Sequence, residues 1–167
     1  SDAAHPTLLG NIGTSSRNYD VSVLGNLAAV ADYANGVALI DFANPANPIR
    51  LGGYDTWGQT KGVCLQDGLA FLADGTAGLQ IIGVTNPANP TRLGSYATSA
   101  NAQGVFVSGR TAFVADYTSG LQIIDVSNPR SPARLGGYDT PGEAWDVEVS
   151  GNLAFVADGG AGLQILD

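Results

Sequence analysis

Four aspartates recur at one spacing along the chain, and a ring of carboxylates is a possible calcium ligand set. They lie 42 residues apart (74 − 32 = 42, and so on), at Asp32, Asp74, Asp116 and Asp158. Each follows a short apolar run and opens a glycine-containing turn, where aspartate commonly accepts hydrogen bonds from backbone N–H groups. We therefore expect these side chains to stabilise turns, and we predict no metal site from them.

Another acidic group lies near the C-terminus and has the chemistry of an acid/base pair. Glu143, Asp146 and Glu148 stand close together, and two carboxylates are the machinery of glycoside hydrolysis. Asp20 matches Asp146 in the repeat described below, so a partial acidic ring is expected. Acidic pairs are common in a chain with 15 acidic residues, and no phosphate-binding glycine loop is present. We predict no catalytic residue and no cofactor.

Short segments that differ from one repeat to the next have the composition of a binding face. They contain aromatic, charged and amide side chains, which could stack on sugar rings or anchor a protein partner. The candidate ligand-binding residues are Arg17, Tyr19, Trp57, Lys61, Gln103, Glu143 and Trp145. An alternative interpretation is that Tyr19 and Trp145 fill the tapering space at the centre of the fold.

The elements that position these residues repeat with a constant period. Leu9, Leu51, Leu93 and Leu135 each precede a glycine, and each difference, such as 51 − 9, is 42. A period of about 40–45 residues with several strands per repeat indicates the blades of a β-propeller.

Each repeat contains four strand signals separated by turn residues, and helical periodicity is absent. Middle strands such as 69–73 and 153–157 are apolar at nearly every position, so both faces of each sheet must be covered. Blades packed around an axis provide that cover. We predict an all-β propeller of four-stranded antiparallel blades, with four 42-residue repeats per chain.

One stretch carries a resemblance to a known family. The segment 120–129, GLQIIDVSNP, with Val-Ala-Asp at 114–116 before it, resembles the LVIVD repeat, and the resemblance covers the whole chain. One departure is Gly83, where Asp41, Asp125 and Asp167 stand in the other repeats. The resemblance implies a β-propeller, found mostly in exported or cell-surface proteins of bacteria and archaea, and it brings no catalytic residues.

The phase of the repeat predicts how the unit is divided. Residues 1–14 form a linker and an outer strand, Thr7–Gly13, that completes the last blade. Blades 1 to 3 comprise residues 15–56, 57–98 and 99–140. Blade 4, which lacks its outer strand, comprises residues 141–167. The ring closes either within one chain or as eight blades from two chains, and we favour the homodimer. A start at Ser1 without methionine suggests a processed, excised or engineered segment.

Composition excludes several classes of partner. Seven basic and fifteen acidic residues give a net charge of −8, which opposes binding to nucleic acid. No apolar run approaches the length of a membrane span. The single cysteine, Cys64, permits neither an intrachain disulfide nor a thiolate metal cluster. We expect an extracellular or cell-surface protein with no membrane insertion.

We therefore predict a non-enzymatic binding or assembly scaffold whose variable loops face a protein partner or a second copy of the chain. One alternative is a lectin-like module that binds carbohydrate through the aromatic residues. Another is a glycan-cleaving enzyme in which Glu143 or Asp146 is the acid or base.

Overall fold

The computed structural model describes residues 4–167, which form four antiparallel sheets of consecutive strands. Blade 1 contains β1 (Asp20–Leu24), β2 (Leu27–Ala31), β3 (Val37–Asp41) and β4 (Ile49–Tyr54). Blade 2 contains β5 (Gly62–Gln66), β6 (Leu69–Ala73), β7 (Leu79–Gly83) and β8 (Thr91–Tyr96). Blade 3 contains β9 (Gly104–Ser108), β10 (Thr111–Ala115), β11 (Leu121–Asp125) and β12 (Ala133–Tyr138). Blade 4 contains β13 (Asp146–Ser150), β14 (Leu153–Ala157) and β15 (Leu163–Leu166).

The inner strands of successive blades pack side by side in the order β1, β5, β9, β13. The helical structure in the described range is a single 3-10 turn, Gly159–Ala161, and no helix there has the length and apolar character of a membrane span. The predicted fold class, an all-β propeller built from four repeats, is confirmed.

Local sequence explains the repeated blade geometry. The first hairpin of blade 1 turns at Gly25, whose φ of 59° lies in the left-handed region that glycine adopts without steric cost. The pairing of the third and fourth strands shifts register at the same place in three blades. These shifts fall at Leu39/Ile40, Ile81/Ile82 and Ile123/Ile124. Similar apolar residues at the same position of each repeat therefore form the same β-bulge.

The hydrophobic core is divided among the three interfaces between blades. One cluster joins blades 1 and 2 and includes Leu39 and Leu72. A second joins blades 2 and 3 and includes Phe71 and Val114, while a third joins blades 3 and 4 and includes Val156. Because blades 2 and 3 each contribute to two clusters, both of their faces are covered, as the near-continuous apolar strands predicted.

The end faces of the arc, on blades 1 and 4, have no neighbouring blade within residues 4–167. Val21 and Val23 of β1 are 58% and 55% exposed, whereas their counterparts in β5, Val63 and Leu65, are buried against blade 1. At the other end, Ile165 of β15 is 57% exposed, and its counterpart in blade 2 is fully buried. The four blades therefore form an arc with two apolar end faces.

The N-terminal segment makes one of the contacts that outer strands make with the next blade, but it is not paired into a sheet. A Cβ at Gly10 would lie 2.2 Å from the carbonyl oxygen of Pro45, and Gly52 approaches Pro87 O in the same way at 2.4 Å. Residues 7–13 are not assigned as a strand, and the sheet of blade 4 has three strands within the described residues. Completion of the last blade by Thr7–Gly13 stays a prediction for a closed ring.

Tight packing between blades predicts a large effect of one methyl group in an outer strand. A Cβ at Gly94 in β8 would lie 2.3 Å from the carbonyl oxygen of Pro129 in blade 3. We expect Gly94→Ala to lower the free energy of unfolding by about 1–3 kcal/mol, because backbone of two blades must move apart. Urea unfolding followed by circular dichroism measures the change.

Gly83→Ala in the neighbouring strand β7 is the matched control. Its Cβ would meet side chains at 3.5 Å, which is ordinary van der Waals contact. We expect its free energy of unfolding to change by less than about 1 kcal/mol. Equal effects of the two substitutions would contradict the interpretation that the Gly94 contact sets the spacing of blades 2 and 3.

Candidate functional site

The loops that cross from the outer strand of one blade to the inner strand of the next lie on one face of the propeller, which we call the top face. The repeated aspartates hold these loops by hydrogen bonds. In blade 2, the buried carboxylate of Asp74 accepts hydrogen bonds from Thr56 Oγ1 and Thr60 Oγ1, each at 2.7 Å. It also accepts the backbone N–H of Gly58 at 3.2 Å. One side chain therefore holds the start, middle and end of the crossing loop.

The same arrangement recurs in the other blades with small differences. Asp116 accepts from Thr98 Oγ1 at 2.7 Å and from the N–H of Ala100 at 2.9 Å. Asp158 binds Thr140 and Gly142 in the same pattern, and Asp32 accepts backbone N–H groups alone, from Ser15 and Ser16. The carboxylates bind backbone N–H groups as predicted, but those of a loop about sixteen residues earlier rather than of their own turn.

These crossing loops bring the first residues of the inner strands to the mouth of the central channel. Backbone bridges fasten each crossing to the turn of the preceding blade, pairing Tyr33 with Thr60, Gly75 with Ala102 and Tyr117 with Ala144. The residue after each bridge, such as Lys61 or Trp145, therefore stands at the channel mouth at a fixed height.

A cavity of about 500 Å³ opens at this mouth. Its lining residues are Tyr19, Asp20, Tyr33, Lys61, Gly62, Gln103, Gly104, Trp145 and Asp146. Four of the seven candidate residues from the sequence thus come together here: Tyr19, Lys61, Gln103 and Trp145. The volume is within the range of small-molecule sites, and it combines aromatic walls with a few polar groups.

Two pairs of aromatic rings stand at the mouth. Tyr19 stacks on Tyr33 with ring centroids 5.2 Å apart, and Tyr117 meets Trp145 edge to face at 5.3 Å. The partners Tyr33 and Tyr117 were missed by the sequence analysis. A signal was present, because the residue after each repeated aspartate alternates between tyrosine and glycine along the four repeats.

Polar groups occupy the part of the mouth between the aromatic pairs. Lys61 Nζ donates to Gln103 Oε1 at 2.9 Å and to Asn101 Oδ1 at 3.4 Å. Asp20 accepts the N–H of Val63 at 2.8 Å. Burial raises the pKa of the Asp146 carboxyl, and the nearby charge of Asp20 adds to the effect.

The remaining candidates lie away from the cavity. Trp57 is 86% exposed, and the guanidinium carbon of Arg92 lies over its indole ring, 5.0 Å from the ring centroid. Glu143 accepts a hydrogen bond from Tyr117 Oη at 2.6 Å beside the mouth, and this bond raises the pKa of Tyr117. Arg17 is exposed in the loop before β1. The sequence predicted one cluster, whereas the structure has a mouth and a separate platform of Trp57 and Arg92.

Below the mouth, the inner strands are spaced by the residues at their starts. A Cβ at Gly62 would lie 2.9 Å from Gly104 Cα, so β5 and β9 approach closely at this point. Asp20 and Asp146 take the equivalent positions in blades 1 and 4. Within residues 4–167, no three histidine, cysteine or acidic side chains are arranged to hold a metal ion.

Comparison with known proteins adds the family and the fold. The family model for the LVIVD repeat matches residues 17–56, 57–98, 99–140 and 141–167. No curated protein matches the chain significantly. The chain is similar to the crystal structure of the computationally designed Ika4 protein (TM-score 0.75, 11% identity), covering 97% of this chain and 98% of that one. It is similar to the designed Ika8 protein (TM-score 0.75, 9% identity), covering 95% of this chain and 48% of that one.

The burial of Asp116 predicts an unusual pH dependence of stability. Burial raises the pKa of Asp116 above its ordinary value of 3.8, although hydrogen bonds from Thr98 and Ala100 oppose the shift. Between 3.8 and the raised pKa the folded protein binds more protons at this group than the unfolded chain does, so its contribution to stability grows as the pH falls.

Asp116→Asn removes this titration and isolates it. We expect the difference in free energy of unfolding between wild type and the variant to move in favour of wild type as the pH is lowered towards 3.8. Urea unfolding at a series of pH values measures the difference, and other titrations cancel because they are common to both proteins. A difference that is constant, or that moves the opposite way, would show that burial is not the dominant influence on this carboxyl.

Proposed function

The chain belongs to the LVIVD-repeat family, and on that premise we propose that it is a non-enzymatic assembly and binding module. Two copies join into one ring of eight blades, and the ring presents its top-face loops to a protein partner. The observation that carries the proposal is the pair of apolar end faces left uncovered by the single chain.

The two end faces are complementary because each corresponds in position to one half of the interface between consecutive blades of the chain. Between blades 2 and 3, Leu79 and Ile81 pack against Val105 and Val107. Leu163 and Ile165 occupy the first pair of positions in blade 4, and Val21 and Val23 occupy the second pair in blade 1. Joining blade 4 of one copy to blade 1 of the next would bury all four side chains, which favours association.

Backbone hydrogen bonding supports the same junction. The edge of β15 has no fourth strand beside it within the described residues, and an unpaired edge is a template for another segment. Gly10 already lies against Pro45 as the outer strand of a preceding blade would. This contact supports the proposal that segment 7–13 of one copy completes blade 4 of the other.

The choice of a second copy follows from the exposure of these faces. Val21 at one end and Leu163 at the other remain 58% and 62% exposed in the single chain. Two-fold symmetry covers both faces at once, since each copy offers both halves of the interface.

The top face has the rigidity and side chains of a protein-binding surface. The crossing loops are fastened by buried aspartates, so little ordering is required when a partner binds. Trp57 is exposed yet fixed in position over Arg92, and tryptophan and arginine are the residues most often found at energetically dominant interface positions.

The carboxylates of this face support a non-enzymatic role. Glu143 is bonded to Tyr117 Oη, and Asp20 accepts backbone N–H groups from Val21 and Val63. Both carboxylates are therefore engaged by groups of the protein itself, although Asp20 lines the same cavity as Asp146.

The mass of the protein in solution tests the assembly. We expect light scattering to give twice the 17.0 kDa of one chain. Ile165→Glu places a charge on the end face of blade 4 and should reduce the mass to that of one chain, because an unpaired charge is costly to bury.

Ile49→Glu is the matched control, since Ile49 is a similarly exposed isoleucine, 60% against 57%, on the outer strand of blade 1. We expect this variant to keep the doubled mass. A wild-type protein with the mass of one chain would overturn the two-copy ring and favour closure within the chain. Equal loss of mass in both variants would overturn the specific role of the end face.

A further inference from the structure

We propose that the channel mouth is a binding site for a neutral, hydroxyl-rich ligand of the saccharide class. The site is the part of the cavity lined by Lys61, Gln103, Trp145 and Asp146, with Tyr117 packed against Trp145. It is distinct from the Trp57 and Arg92 platform that the proposed function assigns to a protein partner. Because these residues belong to blades 2 to 4 of one chain, the inference does not rest on the two-copy ring.

The first argument is that the aromatic rings of the mouth are held in place but not covered. Trp145 is 47% exposed and Tyr19 is 50% exposed, whereas a ring that fills the core, such as Phe71, is 2% exposed. Edge-to-face contact with Tyr117 fixes the orientation of Trp145. An ordered ring with an open face is suited to stacking on the apolar C–H face of a sugar.

The second argument is the mixture of hydrogen-bonding groups at one place. The Lys61 ammonium has three N–H donors and gives two of them to Gln103 Oε1 and Asn101 Oδ1, so one remains for a ligand. Asp146 lines the same cavity and offers carboxylate acceptors. A sugar hydroxyl both donates and accepts, so adjacent hydroxyls can bond to both groups.

The third argument is charge. An anionic ligand would meet Asp20 and Asp146 in the same cavity as well as the net charge of −8. A simple cation would instead meet the ammonium group of Lys61. A neutral ligand avoids both repulsions while using the same groups as hydrogen-bond partners.

The two tryptophans provide a direct test. Trp57→Phe leaves Trp145 as the single tryptophan, so its fluorescence reports on the mouth alone. We expect a panel of methyl glycosides and neutral oligosaccharides, in gluco and galacto configurations, to include at least one that gives a saturable change, with Kd in the range of about 1 mM or tighter. Isothermal titration calorimetry on wild type checks the affinity independently.

Matched variants locate the binding. Lys61→Met should weaken binding by at least about tenfold through loss of the donor. Tyr138→Ala, which removes an exposed tyrosine from the outer strand of blade 3, should leave the affinity unchanged. Equal affinity of the Lys61 variant and wild type would overturn the assigned site.

Other outcomes are equally informative. No saturable change with any saccharide overturns the inference, and a saturable response to N-acetyl-lysine amide alone would identify a site for a basic side chain of a protein partner. Product release from an oligosaccharide would overturn the non-enzymatic role but not the site. The mass of each sample separates the two proposals: a doubled mass without saccharide binding refutes this inference alone, and binding by a protein of single-chain mass refutes the two-copy ring alone.

Discussion

The buried aspartate at the end of each second strand is the interaction on which the top face depends. A carboxylate fully removed from water is costly unless it is well hydrogen-bonded, and each of the four accepts bonds from a crossing loop. Loop and strand therefore order together, and the loop ends at the inner strand of the same blade. The aspartate thus fixes the crossing loop, and through the loop it fixes the backbone bridge and the start of the inner strand. This role explains why aspartate occupies the position in all four blades.

A constant set of hydrogen bonds holds crossing loops whose other side chains differ from blade to blade. The fastened residues, threonine and aspartate, are nearly constant, while the side chains between them change from Trp57 to Ser99 without altering the path of the loop. The side chains of the mouth can vary in the same way, because backbone bridges fasten the crossing loops just before the inner strands. Binding properties of such a face can differ from blade to blade at little cost in stability.

The sequence predicted most of the fold and part of the site, for identifiable physical reasons. Strand positions and blade order followed from the 42-residue period, because every local signal appears four times. The partners of Asp74 did not, since hydrogen bonds between residues sixteen apart depend on how the loop folds back. Tyr33 was missed because it lies in a turn within a blade, whereas the candidates were taken from the variable segments between blades. Trp57 was grouped with the other candidates of the binding face, but it lies outside the cavity against Arg92.

The close approach of Gly62 to Gly104 has a consequence for curvature. Blades radiate from the inner strands, so the bulk of the residue at each inner-strand start sets the wedge angle between neighbours. A Cβ at Gly104 would likewise lie 2.9 Å from Asp146 Cα, so these two neighbouring steps around the axis are equally close. A side chain larger than glycine at position 62 or 104 would push the neighbouring inner strand away and open the wedge, so the curvature of the arc depends on these two small residues.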